Sequence, residues 1–548
     1  AERVFDYVRD NIETVPYYGL KKGALGAYYD NEGTAFDQAM LMVDLLREDS
    51  LTTEYKLGTL TLTGSQFEDL YGLTDAEAAC QMLADGGIPA KVNNATSCGS
   101  VSGSVTTVIM DHIWVNYSST AYDPSYKKHT LEDGVNLTTA MTGGGTTYSR
   151  SNFESDVSMD STLNAWGNSY YTPDVSATED NLEDYAGNLV TAIKDTHYLK
   201  SMDEIVGGRF VDPVDQSALG NSTGTLTTQA TISSTNDIPN EYRTAIEISY
   251  GSTDKTIYAD EIYGLRLWMD GQDLMVGDAV LVDNGGTVTT LTIDVDHPYA
   301  ADSGNYADHS VTYDMSDLDS AAIVFATGSY SPQAARHIVN DAYQHSITDD
   351  DDAPDTETMA RLAFAGNWQA QFGQLMKLNA AIASVTYQHH DSIGIIASDG
   401  SDNVSISIDT NLSANADNGS SAGSLAAYAS LSTVSNTFKA SLIDQALNVG
   451  DDPIRTTASM MVEALDEGNE IWEINEYAPN QLDNVDGYTG SLITALKAKI
   501  NASSSYLTGA LIIDDLDTIE GQADAEPYIY ADNGTDRESV HMITELQG

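Results

Sequence analysis

The chain has 548 residues, 41% of them hydrophobic, and carries 83 acidic against 24 basic side chains, for a formal net charge of -59 and a pI near 4.1. Because this charge repels phosphate backbones and anionic lipid, we expect no binding to nucleic acid. No run approaches the roughly 18 apolar residues that a membrane span requires, so we expect no membrane insertion. Salt or cations such as calcium would screen the self-repulsion, and a brine or a calcium-rich medium suits this composition.

A predicted helix that begins just after Gly33 is the first strong signal along the chain. Its apolar residues leave one stripe to be buried, and they are Met40, Leu41, Val43, Leu45 and Leu46. Position 35 would lie in the first turn of this helix. Unpaired backbone N–H groups there favour an anion, and such a place lowers the pKa of a thiol and activates it. The residue at this position is Ala35.

The two cysteines lie in different settings. Cys80 belongs to a predicted helix, "DAEAACQMLADGG", that ends at the glycine pair 86–87, and Cys98 lies in the polar loop "NNATSCGSVSGS". Two cysteines in an otherwise cysteine-free chain favour one disulfide over two free thiols, although both remain possible from sequence. A bridge would indicate an oxidising compartment.

Two adjacent strands are predicted next. Residues 111–116 alternate as a strand, and residues 122–126 form the next strand and end in a turn. Neighbouring strands of this kind would hold His112 against Asp123.

With these residues in view, the chain resembles the transglutaminase-like superfamily, whose members share a papain-like core and a Cys-His-Asp triad. It is most similar to a bacterial branch found at the heads of long secreted proteins, often upstream of YD or Rhs repeats. The matching phrases are "YVRDNIETVPYYGLKKGALGAYYDNEGTAFDQAMLMVDLLRE", "GGIPAKV", "DHIWVNYSSTAYDPSYKK" and, more weakly, "IPNEYRTAIEISY" with "IYGLRLWM". The resemblance implies a general base at His112, an orienting carboxylate at Asp123 and a nucleophile at Ala35.

The alanine is a serious departure, because acyl transfer by this route needs a thiolate to attack the carbonyl, and a methyl group cannot do so. Thr34 is adjacent, but a helix rotates by about 100° per residue, so we expect its hydroxyl to point away from the histidine. The retained His112–Asp123 pair has two interpretations. It could act on water or hold a metal, or it could persist as a buried polar pair whose members satisfy each other. We favour the second.

The pattern predicts an α+β protein of about three units. Residues 1–205 form the transglutaminase-like unit and close with a helical pattern that runs to the glycine pair 207–208. Residues 206–330 alternate as strands and predict a β-sandwich or barrel, with a hairpin turn at Asn284-Gly285. Residues 331–548 predict a mixed α/β unit.

In the third unit, helical patterns occur at 333–346, 357–384 and 423–448, the segments 392–399 and 403–410 alternate as a β-hairpin, and a helix and a strand follow in 488–500 and 508–516. The run Asp349, Asp350, Asp351 and Asp352 is a weak candidate for calcium, and a solvated loop is the more ordinary interpretation. The pairs His337 with His345 and His389 with His390 are possible metal ligands, but such histidines are more often surface residues.

Two functions from different classes remain. The first is an extracellular or cell-surface structural protein that is catalytically silent, needs no cofactor, and assembles with itself as a filament, a surface layer or an adhesive head. The second is an acyl transferase or hydrolase that uses His112 and Asp123 with another nucleophile or a metal-bound water. We expect an exported, processed chain, since it begins at Ala1. Tyrosine outnumbers phenylalanine by 31 to 9, which suits contacts between subunits and equally fits a general polar bias in an acidic protein.

Overall fold

A computed structural model describes residues 1–141, most of 170–326 and separate stretches between 379 and 547. The protein is mixed α+β with several sheets, as the sequence predicts. The helices are α1 (Glu2–Asn11), α2 (Gly23–Asp30), α3 (Ala35–Glu48), α4 (Gly64–Tyr71), α5 (Ala76–Asp85), α6 (Leu137–Ala140), α7 (Val175–Thr196) and α8 (Ala259–Ile262).

The strands up to residue 233 are β1 (Glu13–Thr14), β2 (Glu32–Gly33), β3 (Thr53–Thr63), β4 (Ala90–Val92), β5 (Thr107–Tyr117), β6 (Thr120–Tyr122), β7 (His129–Glu132), β8 (Tyr170–Tyr171), β9 (Gly208–Val211) and β10 (Thr225–Ser233). Those that follow are β11 (Ala245–Tyr250), β12 (Thr253–Tyr258), β13 (Leu267–Asp270), β14 (Asp273–Val276), β15 (Ala279–Val282), β16 (Thr290–Asp296), β17 (His309–Asp314), β18 (Ser320–Ala326), β19 (Val385–Ser398), β20 (Val404–Ala416), β21 (Ile471–Asn475), β22 (Tyr506–Ile513) and β23 (Thr544–Gln547).

The N-terminal sheet has the order β10-β3-β5-β4, and β6 pairs with β5. Helix α3 packs on this sheet in a core that includes Leu41, Val43 and Leu46 from the helix and Ile113 and Val115 from β5. Leu45, which the predicted stripe also included, is 36% exposed and lies outside this core. Each fully buried aliphatic side chain of this kind stabilises the fold by roughly 1.5–3 kcal/mol.

Helix α5 is held by an N-terminal cap and by the cysteine bridge. The Asp75 carboxylate caps α5 by accepting from the N–H groups of Glu77 and Ala78, and the helix ends before Gly86 as predicted. Cys80 and Cys98 form a disulfide, which confirms the bridge. By the loop-entropy model, a closed loop of this size contributes about 3 kcal/mol to stability.

The sheets cross both boundaries expected from the sequence. Strand β10 lies beyond residue 205 and pairs antiparallel with β3, while β19 lies beyond residue 330 and pairs with β18. Gly58 permits the close approach of β10, since a Cβ there would lie 2.0 Å from the carbonyl oxygen of Thr227. A change in sequence periodicity marks where local structure changes, and it does not determine which sheet a strand joins.

The helical pattern expected to run to residues 207–208 is interrupted, and described helical residues recur at Glu204 and Ile205 after the break. Helix α7 ends at Thr196. The N–H of Ser201 donates to the Glu204 carboxylate, and the N–H of Glu204 donates to the Ser201 hydroxyl. This reciprocal pair is a capping box, which begins a new turn and so interrupts the helix.

Strands β12-β11-β16-β17 form one sheet, and a larger one has the order β15-β14-β13-β18-β19-β20-β23-β22-β21-β8. Both contribute to one core, in which Ile248 and Ile293 of the first meet Leu274, Ile323 and Ile393 of the second. The predicted hairpin of residues 392–410 is confirmed, because β19 and β20 pair antiparallel.

The hairpin turn predicted at Asn284-Gly285 lies outside the described residues. The strands on either side of it, β15 and β16, belong to different sheets and have different partners. Asn-Gly indicates a tight turn, but it joins paired strands only if both belong to one sheet.

A buried ionic cluster lies where α2 meets the segment after α8. The Lys22 ammonium lies 2.6 Å from a carboxylate oxygen of Asp30 and 3.5 Å from one of Glu32, and the Tyr263 hydroxyl donates to Asp30 at 2.9 Å. Burial raises the pKa of Asp30 to about 6, against the lowering effect of Lys22.

The predicted strand in 508–516 is confirmed as β22. The helix predicted at 333–346 lies outside the described residues, and the segments 357–384 and 423–448 are described only at isolated helical residues. Within the described parts of the chain, no helix is both long and apolar enough to cross a membrane.

Candidate functional site

Helix α3 begins at Ala35, in the position predicted from the sequence. Thr34 is its N-cap: the Thr34 hydroxyl accepts from the N–H of Asp37 at 3.1 Å and donates to the carbonyl of Gly19 at 2.7 Å. Thr34 is fully buried. Both hydrogen-bonding functions of its hydroxyl are therefore used in holding the start of the helix.

Asp37 anchors this helix start to the preceding loop. One carboxylate oxygen accepts from the N–H groups of Lys21, Lys22 and Gly23 at 2.9, 3.0 and 2.8 Å, and the other accepts from the N–H of Thr34 at 3.0 Å. Asp37 is fully buried. Four backbone donors offset the cost of burying its charge. The sequence analysis missed this residue, although Thr34 and Asp37 have the spacing of a capping box.

His112 lies on β5, and Asp123 directly follows β6. The two strands are joined by a turn at Ser118 and Ser119, which have φ of 51° and 68°. Positive φ at both central residues gives the twist that a two-residue hairpin prefers. The hairpin brings the imidazole Nε2 of His112 to 3.0 Å from a carboxylate oxygen of Asp123.

The Asp123 carboxylate is completely buried and ionised. Burial alone would raise its pKa, but the charge and hydrogen bond of His112, together with hydrogen bonds from Ser125, hold the pKa of Asp123 below its ordinary value. The carboxylate therefore orients the ring and fixes which nitrogen faces it.

Ser125 completes this group, and the sequence analysis did not single it out. Its hydroxyl donates to Asp123 at 2.7 Å, its N–H donates to the same oxygen at 3.2 Å, and its hydroxyl oxygen lies 3.3 Å from Nε2 of His112. In a serine nucleophile triad the serine and the carboxylate contact opposite nitrogens of the imidazole. Here both contact Nε2, so Ser125 positions Asp123 instead of acting as a nucleophile. The spacing Asp-Pro-Ser is typical of a turn in which aspartate accepts from the backbone two residues on.

One cavity joins Ala35 to His112. The centre of a water molecule can lie anywhere within a volume of about 20 Å³ in this cavity. A single water needs roughly 10–15 Å³ by the same measure. Its walls are mostly aromatic and apolar, and they include Tyr17, Tyr18, Phe36, Tyr71, Ile88, Met110, Asp111, Ser125 and Tyr126. Among the described residues, Nδ1 of His112 has no hydrogen-bond partner. The cavity can hold a water, and the wall at Ala35 supplies only a methyl group.

A polar layer ties the first turn of α3 to the segment after Asp123. Gln38 and Lys127 are both fully buried, and the Lys127 ammonium nitrogen lies 2.7 Å from the Gln38 side-chain oxygen and 2.6 Å from the carbonyl oxygen of Pro124. Burial lowers the pKa of Lys127 to about 7, despite the opposing effect of Glu13 and Asp123. Neither Gln38 nor Lys127 is predicted from the sequence as a site residue.

The structure gives no support to the weak candidates for metal ligands. The run from Asp349 to Asp352 lies outside the described residues, and so do His337 and His345. His389 and His390 fall at a register shift between β19 and β20. In the parts of the chain that are described, no group of three or more His, Cys, Asp or Glu residues could hold a metal ion.

No protein-family model, curated protein or solved structure matches the chain. Assigning it to a class of proteins therefore depends on the residues of the site.

Proposed function

We propose that this chain is a secreted, acidic structural or surface protein built on a catalytically silent transglutaminase-like unit, with a β-sandwich in its middle part. One observation carries the proposal. Ala35 lies at the start of α3 and shares a water-sized cavity with an ordered His112–Asp123 pair.

Loss of the nucleophile is what favours a silent unit. Acyl transfer through a covalent intermediate needs a thiol or hydroxyl that the imidazole can deprotonate. Cys80 and Cys98 are joined to each other, the Thr34 hydroxyl caps α3, and the Ser125 hydroxyl donates to Asp123. Within the described part of the chain, these contacts support no alternative nucleophile near the imidazole.

Self-assembly at a cell surface is supported by composition and by the exposed side chains. A net charge of -59 keeps subunits apart at low salt and lets them approach where cations screen it. Leu25 and Tyr28 on one face of α2 are each 49% exposed, and an exposed pair of an aliphatic and an aromatic side chain suits a subunit contact. A negative charge of this size favours calcium or other cations as partners.

The test is light scattering with negative-stain microscopy over a salt series. NaCl and CaCl₂ are compared at equal ionic strength, because screening depends on ionic strength and a specific calcium contact does not. We expect filaments or layers that grow with salt. A strict monomer under every condition would contradict the assembly proposal.

The second candidate is a hydrolase, and the water-sized space beside His112 is what favours it. In that case His112, oriented by Asp123, would act as general base on a water. Turnover of a glutamine-containing acceptor with an amine donor, or of a simple ester, separates the two candidates. Activity that disappears in His112→Ala would establish the hydrolase and refute the silent unit.

A further inference from the structure

The interior contact between Lys127 and Gln38 differs from the contact that buried Lys22 makes. Lys22 is as deeply buried, but its ammonium lies against the carboxylate of Asp30. Among the described residues, no carboxylate lies within ion-pair distance of the Lys127 nitrogen, whose partners are the oxygens of Gln38 and Pro124.

The surroundings of Lys127 fit an uncharged amine. An ammonium has three N–H groups and a neutral amine has two, and two acceptors face this nitrogen. Burial brings the pKa of Lys127 to about 7, so a large fraction of the amine carries a free electron pair at neutral pH.

The Gln38 amide nitrogen has more acceptor oxygens around it than N–H groups to donate. An amide NH₂ has two N–H groups, yet three oxygens lie around Nε2: the carbonyl of Glu13 at 3.3 Å, the hydroxyl of Thr14 at 2.9 Å and the carbonyl of Gly33 at 2.9 Å. A protonated nitrogen that is about to leave as ammonia has a third N–H group and would use all three acceptors. A site that fits an intermediate better than its starting state favours the reaction that forms it.

We propose that Lys127 and Gln38 are a modification site at which the chain forms an intramolecular isopeptide bond. Nζ of Lys127 attacks Cδ of Gln38 to give a tetrahedral intermediate, and one proton passes from Nζ to Nε2. The Cδ–Nε2 bond then breaks, ammonia leaves, and an Nζ–Cδ amide remains. The step needs no oxidant, metal or second substrate, and holding the two groups in contact replaces a bimolecular encounter.

The bond would join residues 89 positions apart. It would tie the first turn of α3 covalently to the segment that follows Asp123, and so fix two walls of the cavity relative to each other. The inference does not depend on the proposed function, since it requires neither assembly nor a silent site.

Mass spectrometry of the folded, full-length protein tests the proposal. After reduction of the disulfide, we expect the intact mass to fall short of the sequence mass by one ammonia. A tryptic digest is expected to give peptide 23–47 linked to peptide 92–128, with no cleavage after Lys127. Normal cleavage after Lys22 in the same digest is the internal control, and in Lys127→Arg the mass deficit is expected to be absent.

Two results would overturn the proposal. An intact mass equal to the sequence mass would show that the contact is only a hydrogen bond. A deficit of one ammonia that maps to a succinimide at an Asn-Gly pair such as 533–534, with separate peptides 23–47 and 92–127, would do the same. Because mapping the wild-type protein locates the bond, the outcome does not require that any variant fold.

Discussion

A cysteine introduced at position 35 should be a reactive nucleophile. Ala35 is the first residue of α3, it is partly exposed, and it lines the cavity with His112. The helix N-terminus and a nearby imidazolium both stabilise a thiolate, and cysteines in such places have pKa values of about 3.5–7.5 instead of about 8.5. We therefore expect the Ala35→Cys thiol to titrate near pH 6, where about half of it is thiolate, against well under about 1% for an ordinary cysteine.

The assay is alkylation by iodoacetamide at pH 6, read by intact mass after the native bridge is confirmed. We expect Ala35→Cys to react roughly 100-fold faster than Met40→Cys, which lies on the same helix and is also partly exposed but one turn further from its start. The double variant Ala35→Cys, His112→Ala should lose a large part of the difference. Equal rates for the two single variants would refute the argument that the surroundings of position 35 activate a thiol.

Three further outcomes follow from two buried carboxylates and the disulfide. Asp37→Asn turns an acceptor with four backbone donors into a side chain that also donates, so urea unfolding should show a loss of about 3 kcal/mol or more. Removal of the bridge in Cys80→Ser, Cys98→Ser should cost about 3 kcal/mol in the same assay. Burial raises the pKa of Asp30 to about 6. Between about pH 4 and 6 the folded state therefore binds more protons than the unfolded state. The contribution of Asp30 to stability is lost as pH rises through this window. The free energy of unfolding of wild type relative to Asp30→Asn should fall by up to about 3 kcal/mol over that window.

Each outcome has a control or a contradicting result. Asp44→Asn, on the same helix but with a side chain 42% exposed, should change stability little, and a loss as large as that of Asp37→Asn would contradict the role given to the four donors. A double serine variant as stable as wild type under oxidising conditions would contradict the stabilising bridge. A difference between wild type and Asp30→Asn that stays constant from pH 4 to pH 6 would contradict the buried state of Asp30.

Local signals in the sequence predict the framework of the site. Apolar spacing after Gly33 predicts α3, alternation around His112 predicts β5, and the glycine pair after Asp85 predicts the end of α5. These features depend on residues close together in the chain, which is why they can be read from it. The cysteine bridge is predicted by counting, since two cysteines allow one pairing.

The rest depends on contacts between distant residues. Nothing local to Gln38 indicates that Lys127 meets it, and Ser125 gains its role only when Asp123 and His112 are brought together. The pairing of β10 with β3 depends on a strand more than 150 residues away, so a boundary drawn from periodicity could not include it.

The central claim is that the cavity beside His112 holds its shape without a nucleophile. The most direct measurement is intact-mass analysis of the wild-type protein after incubation with an activated glutamine ester and an amine donor, with and without calcium. We expect the same chain mass with and without the reagents, and no product above the level of His112→Ala. A covalent acyl adduct on any side chain of the cavity would contradict the account.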